Sequence, residues 1–186
     1  MTQPISKTLA KFYQQYPRMP IVVTAQVGEK RNAMTIARHT VVSTAPPTYG
    51  VSLASGAFTY QLIAESGEFG VNFLPYEEVE LVDALGHSKG KEIDKFQKFN
   101  LAVEEPVKTS VPILKVAYAA YECRLIDDKV YGGSHWLIGE IVAMHALRDC
   151  LTLQKTLDLD KVNPLFYLGQ QYYLTVAKET VKYITH

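Results

Sequence analysis

The sequence predicts a mainly β protein, an antiparallel barrel with short peripheral helices. Three features predict it. Runs rich in β-branched residues alternate apolar and polar positions with period two, as where Val51 and Leu53 alternate with Ser52 and Ala54. Turn residues join neighbouring runs into hairpins, as Gly28-Glu-Lys-Arg31 does between residues 20–27 and 32–37. The helical patterns are short and lie between hairpins, without the strand–helix alternation of a parallel α/β sheet.

Taken in order, residues 6–16 carry Leu9, Phe12, Tyr13 and Tyr16 at helical spacing, and Pro17 and Pro20 end that helix. Residues 20–27 form a β-branched strand. Asn32-Ala-Met-Thr-Ile-Ala37 returns as its partner. Ala33, Thr35 and Ala37 share one face, small enough for something flat to approach the backbone. Asn32, Met34 and Ile36 share the other. Arg38, His39 and Thr40 leave the strand, and Ser43-Thr-Ala-Pro-Pro47 is a stiff extended turn.

Residues 49–75 read as strand, polar turn, short helix, strand. Ser55 and Gly56 break the first strand. Thr59 is expected to cap a helix from Tyr60 to Ser66, with Gly67 in the left-handed conformation after it. Val71 and Phe73 resume the alternation. Residues 76–85 form an acidic amphipathic helix on Val79, Leu81, Val82 and Leu85. A polar loop at 86–90 and a short helix at 91–99 follow. Residues 100–111 are charged and expected on the surface, and 112–125 lead into a strand. Residues 127–133 form a turn with a glycine pair, and 135–146 a long strand in which Gly139 marks a bulge or a close backbone approach. Short apolar strands are expected at 164–168 and 172–176, within a C-terminal extension over 151–186. Nothing marks a second domain, so residues 1–186 are expected to form one.

The bulk numbers exclude more than they identify. The chain has 186 residues, 47% hydrophobic and 20% charged, with 19 basic and 19 acidic side chains. A neutral chain without a basic run gives no electrostatic reason to expect nucleic acid or an anionic membrane as partner. Cys123 and Cys150 lie far apart, outside any CxxC pair, and read as reduced thiols of a cytoplasmic protein. No apolar run has membrane-spanning length and no signal-peptide core opens the chain. His39 and His87 lack partners at ligand spacing, so no metal site is expected.

One stretch points to chemistry. A helix N-terminus near Tyr60, preceded by hydroxyl side chains and a glycine, aims free N–H groups and the positive end of the helix dipole at one spot. Such a spot suits one phosphate. A plain helix cap explains the same residues equally well. The segment matches neither the glycine-spaced dinucleotide pattern nor the P-loop.

Set in order, the pieces resemble the flavin reductase-like family of FMN-binding split barrels. They are Asn32-Ala-Met-Thr-Ile-Ala37, Ser43-Thr-Ala-Pro-Pro47, residues 51–54, the stretch from Thr59 to Pro75, residues 86–90 followed by Asp94-Lys-Phe96, Tyr121-Glu-Cys123, and Ser134-His135 with Ile138-Gly-Glu-Ile-Val142. The resemblance covers residues 18–176. It implies a six-stranded antiparallel Greek-key split barrel, a homodimer, and FMN near the subunit interface. It places Asn32, Met34, Thr35, Ile36, Ala37 and Arg38 along the ring and ribityl chain. Ser52, Leu53, Ala54 and Ser55, with Thr59 and Tyr60, would hold the phosphate. Lys89, Lys95 and Phe96 would close the site. Two departures stand out: Ser55-Gly-Ala-Phe58 lacks the basic residue many relatives carry there, and Gly133-Ser-His135 stands where relatives often have Gly-Asp-His.

The resemblance implies an NAD(P)H:flavin reductase moving hydride from NADH or NADPH to FMN. The alternative is an FMN-binding electron carrier resembling flavoredoxin, reduced by a redox protein partner. Flavin carries out the electron chemistry itself, so no catalytic triad is expected. His135 is the candidate catalytic residue, as a stacking surface or proton donor; an ordinary polar residue at a strand start is the plainer reading. Arg38 suits the flavin phosphate or a pyrimidine carbonyl, or else a surface ion pair. Lys89 suits a ligand or solvent equally. Trp136 and Cys123 read as packing.

Overall fold

The computed structural model describes residues 16–184. Its β-rich runs pair as hairpins. β1 (Ile21–Val27) and β2 (Lys30–Ile36) form one, and β3 (His39–Thr44) and β4 (Pro47–Ala54) the next. Then come helix α1 (Phe58–Ser66), β5 (Glu68–Phe73), α2 (Val79–His87), α3 (Lys95–Lys98), and the short strands β6 (Val103–Glu104) and β7 (Ile113–Leu114). The long hairpin β8 (Ala119–Tyr131) and β9 (Ser134–Ala146) follows, then β10 (Phe166–Gly169) and β11 (Tyr172–Leu174). The expected helix over residues 6–16 lies, apart from Tyr16, outside the described residues.

Seven strands form one antiparallel sheet in the order β2-β1-β5-β8-β9-β4-β3. Its two edge strands, β2 and β3, are consecutive in the chain and joined by Ala37 and Arg38 alone. The sheet must therefore curl until its edges nearly meet. Among the described residues no ladder joins β2 to β3, so the barrel is split at that point. Val23, Ile36, Tyr49, Val51, Leu53, Phe69, Val71, Phe73, Cys123 and Leu137 fill the inside. Each large apolar side chain buried this way contributes about 1.5–3 kcal/mol. Outside the barrel, Val22 and Ala33 pack with Leu74, Val82, Leu85 and Phe96 beneath α2 and α3. Leu62 and Ile63 of α1 join the inner core.

The mainly β, split-barrel class is as expected, with one strand more than the six implied. The strand the sequence did not mark is β3, most of whose residues are exposed. Among the described residues it pairs only with β4, and no apolar alternation marks it. Residues 127–133 are mostly strand, with the turn confined to Gly132 and Gly133. The helix expected over 91–99 shrinks to Lys95–Lys98, where the Asp94 carboxylate accepts from the amides of Phe96 and Gln97. Within 100–111, Val103–Glu104 is a strand and Val111 is buried. Gly139 is a close approach: a Cβ there would lie 2.5 Å from the Phe69 ring. The register of the β8–β9 ladder shifts at two other places: Val142 is the extra residue on β9 beside the step from Glu122 to Cys123, and Ile126 is the extra residue on β8.

The small face of β2 takes a different neighbour from the one expected. Ala33 is covered by the α2–α3 layer, and Thr35 Oγ1 donates to the Val82 carbonyl of α2 at 2.6 Å. What approaches the backbone at Ala33 and Thr35 is a helix of the same chain. Cys123 and Cys150 are free and buried; burial, with the Glu122 charge adding to it, pushes the Cys123 thiol up to about 12. Among the described residues no helix is long and apolar enough to cross a membrane.

Candidate cofactor site

Helix α1 begins without a cap. Its N-cap is Ala57, in extended conformation and with no side-chain bond to the helix, and no acidic residue lies in the first turn. Ala57 N donates back to Ala54 O, and Gln61 N donates to Ala57 O. The amides of Phe58, Thr59 and Tyr60 therefore have no acceptor inside the helix. The expected cap, Thr59, lies two positions past the N-cap. It is fully buried, and its Oγ1 accepts from Asn32 Nδ2 at 2.8 Å. The helix starts two residues earlier than expected, where the residue is alanine. Gly67 ends it in the left-handed region, at φ 72°, as expected.

Asn32 is 2% exposed, and its Oδ1 has no hydrogen-bond partner among the described residues. A Cβ on Gly90 would lie 2.3 Å from that oxygen. The loop after α2 thus closes directly over the carboxamide, and only glycine fits there. An unpaired buried acceptor costs about 1–3 kcal/mol.

Beside the split lies a cleft of about 520 Å³ lined by Arg18, Met19, Ala37, Arg38, His39, Ser52 and Trp136. Its size falls in the range of small-molecule sites. Arg38 O accepts from Ser52 N at 2.9 Å, which ties the chain leaving β2 to β4. Trp136 pairs with Ser52 across the ladder, and its indole lies over Gly50, where a Cβ would come within 2.8 Å of the ring. His39 is held at both nitrogens, by Tyr49 Oη at 2.7 Å and Met19 O at 2.7 Å. Burial lowers its pKa, with the Met19 bond opposing.

A third group stands at the start of β9. The rings of Tyr60 and His135 stack at 3.9 Å. His135 Nδ1 lies 2.7 Å from Asp128 Oδ1, and Tyr60 Oη donates to Asp128 Oδ2 at 3.0 Å. Burial first, then the Asp128 bond and charge, pushes the Tyr60 phenol above its ordinary value. The acidic neighbour that His135 lacks at position 134 is thus supplied from the adjacent strand.

The expected residues divide. Ala37, Arg38 and Ser52 line the cleft. Ala54 and Ser55 are exposed on the approach to α1, and Tyr60 lies on its first turn. Leu53 and Ile36 point into the core, and Met34 packs against it, so these can offer a ligand chiefly backbone. Phe96 is core, with the Arg31 guanidinium 4.3 Å from its ring centre. Lys95 corrects the expectation that its amine closes the site. It is 2% exposed, and Nζ donates to Ala33 O at 2.9 Å and Leu85 O at 2.7 Å. Burial lowers its pKa to about 8. Lys89 is exposed and pairs with Glu92 at 3.0 Å. Trp136, which lines the cleft, and Asp128, which bonds His135, were not among the expected residues. Trp136 carries no signal separating a cleft wall from packing, and Asp128 lies seven residues from its partner.

The comparisons with known proteins bear on the family and the fold. Residues 13–174 match the model of the flavin reductase like domain. The chain belongs to that family. Among solved structures, the FMN-binding protein of Thermus thermophilus with bound 1-cyclohex-2-enone superposes with a TM-score of 0.86 at 31% identity, over 98% of this chain and 99% of that one. Flavoredoxin from Methanosarcina acetivorans superposes with a TM-score of 0.84 at 26% identity, over 100% of this chain and 95% of the other. A Streptomyces viridifaciens NADPH-flavin oxidoreductase is 30% identical over 124 residues, 67% of this chain and 63% of that enzyme. The chain spans 59% of the length of a curated relative from Aeropyrum pernix.

Proposed function

We propose that this protein is an FMN-dependent oxidoreductase, an NAD(P)H:flavin reductase. The observation that carries the reading is the uncapped, carboxylate-free start of α1 beside the split of the barrel. First-turn amides without an acceptor in the helix, together with the helix dipole, suit a phosphate monoester and would make up for the missing basic residue at 55–58. The cleft at Ala37, Arg38, Ser52 and Trp136 suits a flat ring. Bound there, FMN would supply the two-electron chemistry, accepting hydride from nicotinamide. Ala37 and Ser52 would orient the ring, Trp136 would shield one side from water, and Arg38 would offset negative charge on it. His135 would present Nε2 as a proton donor or acceptor at the edge of the site. A homodimer would complete the walls of the open cleft, and a cytoplasmic setting suits the two free thiols.

The test is anaerobic. NADH or NADPH added to the FMN-loaded protein is expected to abolish the visible flavin absorbance within the mixing time of a turnover experiment. A flavin that stays oxidised with both nicotinamides overturns the reductase reading. The likeness to the Methanosarcina flavoredoxin favours a second reading, an electron carrier reduced by a protein partner. That reading requires bound FMN that reacts with neither nicotinamide.

A further inference from the structure

Asp128 reaches His135 because of a bulge. Along the β8–β9 ladder, Cys123 stands opposite Ile141, Arg124 opposite Glu140 and Leu125 opposite Gly139. Continued without a break, that register would set Asp127 opposite Leu137 and Lys129 opposite His135. One extra residue, Ile126, shifts it, so that Asp128 stands opposite Leu137 and Val130 opposite His135. Opposed residues share a face, and the next residue but one is a diagonal neighbour on it. The bulge therefore puts Asp128 rather than Asp127 on the histidine's face, and replaces Lys129 by Val130 opposite the ring. Bulges commonly re-aim a side chain next to a functional site.

Both carboxylate oxygens are then used. Oδ1 meets His135 Nδ1 and Oδ2 meets Tyr60 Oη. An ionised carboxylate only accepts, so Nδ1 carries the hydrogen and the neutral ring is the Nδ1–H tautomer. Among the described residues nothing pairs with His135 Nε2. The phenol held by the second oxygen stacks under the imidazole and fixes its plane. The side chains of His135 and Asp128 are 14% and 27% exposed, so the pair is largely screened from solvent.

We propose that Asp128 is a positioning residue for the reaction: through its two oxygens it fixes the tautomer of His135 and the ring of Tyr60 beneath it, and leaves Nε2 as the one open nitrogen. The proposal rests on the assignment of His135 to that site. Its physical basis is the orienting effect of a carboxylate on an imidazole that must present one defined nitrogen.

The test combines imidazole nitrogen NMR with steady-state kinetics on the full chain. In the unaltered protein at a pH where the ring is neutral, His135 is expected to show a protonated Nδ1 and a bare Nε2. Asp128→Ala, with the isosteric Asp128→Asn as a guard against local collapse, is expected to move population to the Nε2–H form. It is expected to lower kcat for nicotinamide oxidation about tenfold, the low end of what acid–base assistance supplies, with FMN affinity unchanged within about twofold. Asp128→Glu is expected to recover part of the rate. In a His135→Ala background, Asp128→Ala is expected to add no further loss, because the two act as one unit. Unchanged tautomer signals in both variants, or an equal loss with and without His135, would overturn the proposal. Protein that binds no flavin would instead sink the proposed function, while the tautomer signals would still decide whether Asp128 positions His135.

Discussion

Ala57 offers a perturbation whose two effects have opposite signs. It occupies the N-cap of α1 in the extended conformation that a capping side chain needs, and it supplies none. Ala57→Asp would give the orphan amides an acceptor and place a negative charge at the positive end of the helix. Flavin-free protein should gain about 1 kcal/mol of stability from this. The same carboxylate would occupy the donors proposed for the FMN phosphate and repel it. Two unit charges about 4 Å apart repel by about 1 kcal/mol under full water screening and about 4 kcal/mol at a protein surface. For a phosphate bearing nearly two charges, the low end gives about 2 kcal/mol, a loss of roughly 30-fold in affinity. Riboflavin lacks the phosphate and should lose little. Ala57→Ser is the neutral control: similar stabilisation, with a smaller loss of FMN. The assays are thermal unfolding of the flavin-free protein and fluorescence titration with each flavin. If Ala57→Asp stabilises the protein yet leaves the ratio of FMN to riboflavin affinity unchanged, the phosphate is not at the start of α1.

Two further outcomes follow from the packing. Gly50→Ala would drive a methyl to 2.8 Å from the Trp136 indole and 3.0 Å from Val42, so the indole must move; stability is expected to fall by about 1–2 kcal/mol, and flavin to bind several-fold more weakly, both read by melting and titration. Glu122 is fully buried, and its carboxylate takes the amides of Val107, Lys108 and Thr109, the Thr109 hydroxyl and His145 Nε2. Burial alone would raise its pKa, but these bonds outweigh it and hold it at about 2 against an ordinary 4.5. A folded value below the unfolded one stabilises the fold above pH 4.5, and the gain is lost as pH falls toward 2. The difference corresponds to about 3 kcal/mol. Glu122→Gln should therefore cost most in urea unfolding at pH 7 and converge with the unaltered protein by pH 2; a deficit independent of pH would contradict the assignment.

What was legible in the sequence had a local cause. The β1–β2 hairpin and the helix–strand pair around Gly67 each carry their own periodicity and turn residue, and each formed within a residue or two of expectation. The strand β3 was not legible because an exposed edge strand need not alternate. The cap at 59 failed for a different reason. Threonine is a good cap by type, but tertiary contact with Asn32 turned its hydroxyl inward. The small face of β2 was read correctly as permitting close approach, and what it admits is α2, which no local pattern specifies. Asp128 depends on the register of two long strands, and one bulge residue changes which neighbour faces His135. Such a residue becomes visible only when the ladder is.

The central claim is that a singly phosphorylated flavin lies across the split with its phosphate on the first turn of α1. A crystal structure of the protein soaked with FMN tests it most directly. The account predicts phosphate oxygens within hydrogen-bond distance of the amides of Phe58, Thr59 and Tyr60, and the ring in the cleft beside Ser52 and Trp136. Flavin bound elsewhere, with that turn left to solvent, would contradict it.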